Sequence, residues 1–130
     1  DVDKPDDNGW TLLMHAAACQ SREAIVEFLL NQGADPNTKD GEWETPLFKV
    51  TSRGGEATTR LLLEHDADPN LATWDAQGRT PLDYAVRHDF RGAVQMLLGY
   101  GANPGCTDKL GQTPLFHAAS FGRVEIAQIL

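Results

Sequence analysis

The chain has 130 residues, of which 41% are apolar and 23% charged; that supports one packed domain and rules out wholesale disorder. Eleven Lys and Arg stand against nineteen Asp and Glu, a formal charge of −8. That balance argues against nucleic acid or an anionic membrane as partner, because both demand clustered positive charge. No apolar run approaches the roughly 20 residues that span a bilayer, and no signal-peptide pattern opens the chain. The two cysteines, Cys19 and Cys106, read as free thiols in a reducing compartment. A monomeric intracellular protein, cytoplasmic or nuclear, is expected.

Taken in chain order, the sequence repeats. The windows Gly9-Trp10-Thr11-Leu12-Leu13, Trp43-Glu44-Thr45-Pro46-Leu47, Gly78-Arg79-Thr80-Pro81-Leu82 and Gly111-Gln112-Thr113-Pro114-Leu115 place their threonines 34, 35 and 33 residues apart. Between them recur Gly33-Ala34-Asp35-Pro36-Asn37, Asp66-Ala67-Asp68-Pro69-Asn70 and Gly101-Ala102-Asn103-Pro104-Gly105. Two motifs in phase at this period predict stacked supersecondary units.

Each unit reads as a pair of helices. The threonine hydroxyl suits the N-cap of a first helix, and a proline follows at the one helical position where a missing N–H costs nothing. Small residues come next (Ala16/Ala17, Val50/Thr51, Ala85/Val86, Ala118/Ala119), and Gly54 and Gly122 end that helix in a left-handed turn. The second helix carries Ile25, Phe28, Leu29 and Leu30 in unit one. Its counterparts are Thr58, Leu61, Leu62 and Leu63, then Ala93, Met96, Leu97 and Leu98, then Ile126, Ile129 and Leu130. These columns are expected in the core, with Glu27, Arg60, Gln95 and Gln128 outside the stripe. Helices this short are marginal alone and must stack.

The segments Thr80-Pro81-Leu82-Asp83-Tyr84-Ala85 and Thr113-Pro114-Leu115-Phe116-His117-Ala118-Ala119 resemble the Thr-Pro-Leu-His signature of the ankyrin repeat. The resemblance covers essentially the whole chain. It implies an all-α solenoid of antiparallel helix pairs with projecting β-hairpin fingers. A single array over 1–130 is expected, with units at about 7–39, 40–74, 75–107 and 108–130. Residues 1–6 read as the tail of a preceding repeat, and the whole as an excerpt of a longer array. The departures are local. Leu12 replaces the first proline, one extra residue lies near Ala18–Ser21, and two lie near Leu71–Trp74. Trp43 stands in a glycine position, and Asp66 and Asp89 replace cap glycines at about 1 kcal/mol. Thr58 and Thr59 put hydroxyls in apolar columns, marking unit two as the softest.

No chemistry-bearing motif is present. His15, His65, His88 and His117 lack metal-ligand spacing, and His15 and His117 share one repeat position that suits packing or hydrogen bonding. Cys19 reads as a small, buried or half-buried group and the acidic excess mostly as a solvated face. Neither a cofactor, a metal nor a catalytic residue is expected.

Surface is what such an array offers. The resemblance places the binding face on the concave strip of fingers and first helices. Transferred by offset from each threonine, its positions are Asp7, Asn8, Trp10, Ala18 and Cys19; then Gly41, Glu42, Glu44, Ser52 and Arg53. Units three and four contribute Ala76, Gln77, Arg79, Arg87 and His88, then Lys109, Leu110, Gln112, Ser120 and Phe121. Trp10, Trp43 and Trp74 all fall in fingers, where they either face a partner or fold back onto irregular loops. With Phe121, Arg53, Arg79 and Arg87 they outline a basic, aromatic path for a folded domain or an acidic peptide segment. The competing reading is an architectural spacer or an intramolecular dock.

Overall fold

In the computed structural model, which describes residues 1–73 and 77–130, each repeat threonine caps a helix. The first helices are α1 (Leu12–Ala17), α3 (Pro46–Thr51), α5 (Pro81–Arg87) and α7 (Pro114–Ser120). At their starts Oγ1 of Thr11, Thr45, Thr80 and Thr113 accepts from the backbone N–H of Met14, Phe48, Asp83 and Phe116 at 3.2–3.3 Å. Each bond satisfies one of the four N–H groups a helix start leaves open. The second helices are α2 (Glu23–Asn31), α4 (Glu56–Glu64), α6 (Arg91–Gly99) and α8 (Val124–Ile129).

The helices form two layers. First helices pack in series (α1 on α3 on α5 on α7), second helices likewise, and each pair packs internally. The core runs between the layers through Leu13, Leu47 and Leu82 and, from the second helices, Val26, Leu62, Leu97 and Ile126, all at most 1% exposed.

The ends differ from the expected columns. Ile25 and Phe28 are 51% and 58% exposed, whereas Thr58, Ala93 and Ile126 in the Ile25 column are buried. In units two to four that side of the second helix meets the unit before; in unit one no helix pair lies against it. The buried residue of α2 is its neighbour Val26. On the opposite end Leu115 is half exposed, although Leu13, Leu47 and Leu82 in its column are fully buried.

Left-handed turns close the helices. Gly54 and Gly122 take φ of +73° and +68°, and the matching positions in the other units are Ser21 at +61° and Asp89 at +60°. Asp66, at +65°, matches Gly33 and Gly101. Lacking a Cβ, glycine adopts this region freely, and aspartate tolerates it better than most residues do.

The loops after the second helices are stitched to one another by side chains. Oδ1 of Asn37 accepts from the N–H of Asp68 at 2.7 Å, and its Nδ2 donates to the carbonyl of Asp66 at 3.1 Å. Asn70 repeats this one unit on, with the N–H of Asn103 at 2.8 Å and the carbonyl of Gly101 at 3.1 Å. Asp3 makes the accepting half, from the N–H of Asp35 at 2.9 Å.

Two substitutions should stabilise the fold in urea denaturation. Asp66→Gly relieves the left-handed strain and is expected to gain about 0.5–1 kcal/mol. Thr51 lies fully buried in a column that otherwise carries Ala17, Val86 and Ala119, and its hydroxyl has no hydrogen-bond partner among the described residues. Thr51→Val keeps the shape and should gain about 1 kcal/mol.

Candidate functional site

The fingers are tight turns built on one aspartate each. Five residues before the threonine, Asp6, Asp40 and Asp108 use Oδ1 to accept two backbone N–H groups of their own turn. The donors are Asn8 and Trp10, Glu42 and Glu44, and Leu110 and Gln112, at 2.9–3.0 Å. Each turn is closed by two further backbone bonds, in the second finger Asp40 N–H to the Glu44 carbonyl at 3.1 Å and Trp43 N–H to the Asp40 carbonyl at 3.0 Å. Among the described residues no finger extends into a strand.

The second carboxylate oxygen is thereby free to take a nitrogen of a side chain on the first helix. Four residues after the threonine stand His15, Lys49 and His117. His15 Nε2 lies 2.8 Å from Asp6 Oδ2, Lys49 Nζ 2.7 Å from Asp40 Oδ2, and His117 Nε2 3.0 Å from Asp108 Oδ2. Lys49 is the most enclosed side chain of this column. Its side chain is 4% exposed, its Nζ also reaches Glu44 Oε2 at 2.8 Å, and it lies 3.9 Å above the Trp10 ring. The Trp10 N–H and the His15 ring hold the Asp6 carboxyl below its ordinary range.

Unit three departs from this pattern. Tyr84 occupies the cation position, and Arg87, one turn further along α5, supplies the charge instead. Arg87 Nε donates to Asp83 Oδ2 at 3.0 Å and Nη2 to Asp108 Oδ2 at 3.1 Å. Burial raises the Asp83 carboxyl above its usual value, against the pull of Arg87 and His117. Burial also pushes Asp108 upward, but the Gln112 N–H, the His117 ring and the Leu110 N–H outweigh it and hold this carboxyl low.

This network corrects part of the expected binding strip. Arg87 is only 15% exposed and serves the junction of units three and four rather than an open path. The acidic excess is not wholly solvated either: Asp40, Asp83 and Asp108 side chains are 5%, 5% and 2% exposed, each against a cation. Cys19 is exposed rather than buried or half-buried, on the segment that carries the extra residue after α1, and Cys106 is half-buried with Sγ 3.6 Å from Thr80 Oγ1.

The other predicted positions divide by surroundings. Asn8, Trp43, Arg53, Gln77, His88, Lys109 and Phe121 are exposed. Trp10, Glu44, Arg79 and Gln112 are half-buried, Arg79 lying 5.4 Å over the Tyr84 ring. Partial desolvation of the ring keeps the His88 imidazole below its usual range, as do the Arg79, Arg123 and Arg87 charges; it stacks on Tyr84 at 4.2 Å. Trp74 and Ala76 lie outside the described residues. Between fingers one and two opens a cavity of about 480 Å³ walled by Asn8, Trp10, Asp40, Glu42, Glu44 and Lys49.

Sequence models of ankyrin repeats match residues 1–40, 18–108 and 92–130. The chain belongs to the ankyrin-repeat family. Human ankyrin repeat and SOCS box protein 3 is 40% identical over 112 residues, covering 86% of this chain and 21% of that protein. Mouse ankyrin repeat and SOCS box protein 16 is 36% identical over 110 residues, 78% of this chain and 24% of its own length. The Drosophila transient receptor potential channel pyrexia is 34% identical over 123 residues, 94% of this chain and 12% of the channel. The chain thus spans less than a third of each of these relatives. Ankyrin repeats are in general non-enzymatic protein–protein interaction modules. Among the described residues of this ankyrin array no helix is long and apolar enough to cross a membrane, and no group of His, Cys, Asp and Glu could hold a metal ion.

Sequence reasoning missed the finger carboxylates, although Asp6, Asp40, Asp75 and Asp108 all stand five residues before the repeat threonine. Lys49→Met should expose their value. It leaves the buried Asp40 carboxylate without its cation and is expected to cost about 3 kcal/mol in urea denaturation. The low Asp6 and Asp108 carboxyls contribute stability above their ordinary range that is lost on acidification through their folded values. An acid titration followed by circular dichroism should therefore show finger-dependent unfolding that Asp108→Asn moves to higher pH.

Proposed function

We propose that this array is a non-enzymatic docking module that binds a protein partner through the concave face formed by its fingers and first helices. The observation that carries the reading is Trp43. Its backbone takes φ of +61° where the matching finger positions hold Gly9 and Gly111 at +79° and +75°. Left-handed geometry costs an L-residue about 1–2 kcal/mol, and the residue still leaves 49% of its surface exposed. Lys39 Nζ over the ring at 4.5 Å offsets a part, of the order of 0.5–1 kcal/mol at such an exposed site. A strained, exposed tryptophan at a finger tip is explained by what it contacts in a complex, and tryptophan is enriched among interface hot spots.

Around it the same face offers Asn8, Trp10, Glu44, Arg53, Gln77, Arg79, His88, Lys109, Gln112 and Phe121. Arg53, Arg79 and Lys109 suit an acidic segment or an acidic patch of a folded domain. Trp43→Gly tests this with fold and binding separated. Stability in urea should hold or rise by about 1 kcal/mol, while capture of the partner identified by affinity purification should fall at least tenfold. Undiminished capture by the folded variant would refute the face.

The alternative is an architectural or intramolecular docking role, favoured by exposed Leu12, Ile25 and Phe28 on one end of the stack and Leu115, Phe116 and Val124 on the other. Under it Trp43→Gly changes nothing, and Leu115→Glu with Phe116→Glu abolishes association.

A further inference from the structure

The second helices α2, α4, α6 and α8 start from Arg22, Gly55, Phe90 and Arg123. In units three and four that residue leans back on the unit before. The Phe90 ring lies against unit two, its Cε1 3.5 Å from where a Cβ on Gly54 would stand. Arg123 lies against unit three, donating from Nη2 to the Arg87 carbonyl at 3.2 Å. Each fills the junction behind it with a large side chain. Gly55 has none, and at the junction of units one and two a cavity of about 340 Å³ opens between Cys19, Ser21, Val50, Arg53, Gly55 and Thr58.

The packing itself keeps this opening. Gly55 has a φ of −79°, which any residue adopts, so its backbone does not call for glycine. A Cβ there, however, would stand 2.7 Å from Cγ2 of Val50, a β-branched residue that is 2% exposed. Such a side chain is stiff about χ1 and cannot swing aside. The walls also hold polar groups that the fold leaves unused. Thr58 is 4% exposed, and its hydroxyl makes no hydrogen bond among the described residues, whereas Oγ1 of Thr59 donates to the Gly55 carbonyl at 2.7 Å. Arg53 is exposed, and its guanidinium has neither an ion pair nor a hydrogen bond among the described residues.

We infer, resting on the docking face proposed above, that this cavity seats an aromatic side chain of the partner, tyrosine in particular. Ala18, Cys19 and Arg53, which belong to the concave strip, all line it. Phe90 shows that a phenyl ring fits the same place in the next junction. Size permits it, since an apolar cavity of roughly 150 Å³ already holds benzene. A phenol hydroxyl can pair with the unused Thr58 hydroxyl, and the Arg53 guanidinium can lie over the ring. Charge disfavours the other large side chains. Glu23 and Glu56 also line the cavity and offset Arg53 against a carboxylate, while Arg53 repels a second guanidinium.

The test titrates the intact 130-residue chain with the N-acetyl amides of tyrosine, phenylalanine, glutamate and arginine, read by amide NMR shifts. The tyrosine probe should shift Ser21, Gly54, Gly55 and Thr58 saturably. It should bind about threefold tighter than the phenylalanine probe, as one hydrogen bond allows. Thr58→Val keeps the shape and should make the two equal. Gly55→Phe combined with Val50→Ala supplies a ring from within. With its helical spectrum intact, this plugged variant should lose the shifts and weaken capture of the partner about tenfold. Tighter binding of the glutamate or arginine probe overturns the seat, and so do cavity amides that no probe shifts. Should the plugged variant not fold, Thr58→Val still decides, because an unchanged preference for tyrosine overturns the assignment. Trp43→Gly reads the face separately. Capture lost there but undiminished in the plugged variant overturns the seat alone; the reverse pattern overturns the Trp43 reading and keeps the seat.

Discussion

A helix of six to nine residues cannot hold itself together in water, and every feature of this chain answers that constraint. Nucleation is costly and the apolar stripe of one helix pair has nothing of its own to lie against. Thr11, Thr45, Thr80 and Thr113 lower the first cost by supplying a cap acceptor. Stacking supplies the second requirement, and Leu13, Leu47 and Leu82 are buried only because another unit follows. The same logic explains why Leu115, chemically identical and in the same column, is half exposed.

The fingers solve a related problem by charge. A projecting turn has no core, so Asp6, Asp40 and Asp108 gather its N–H groups on one oxygen and a helix side-chain nitrogen (His15, Lys49 or His117) on the other. This anchors each finger to its own first helix while leaving the tip to face outward. Trp43 rides on such an anchored tip, which is why a strained indole there can be held without loosening the repeat.

Much of this was legible in the residues. Thr-Pro pairs at a fixed period give the helix starts, and Asp66, Asp89 and Trp43 announce left-handed turns by standing in glycine columns. Ser21 escaped because the extra residue near Ala18 shifts the column. Ile25 was taken for core because its column is buried in the later units, at Thr58, Ala93 and Ile126, and the sequence does not show that in unit one no helix pair lies against that side. The placement of Arg87 was beyond reach for a different reason: its second partner, Asp108, comes from 21 residues further along the chain. Burial of a charge depends on a partner in space, and sequence distance does not report it.

The junctions are not chemically alike. Asn37 and Asn70 link their loops forward through backbone groups that any neighbouring repeat presents. Units joined in this way are interchangeable, so duplication or recombination in that stretch preserves its contacts. Units three and four instead share matched side chains, Asp83 and Arg87 on one side with Asp108 and His117 on the other. Shuffling either without its neighbour would strand a charge, so this pair is expected to be inherited as a block.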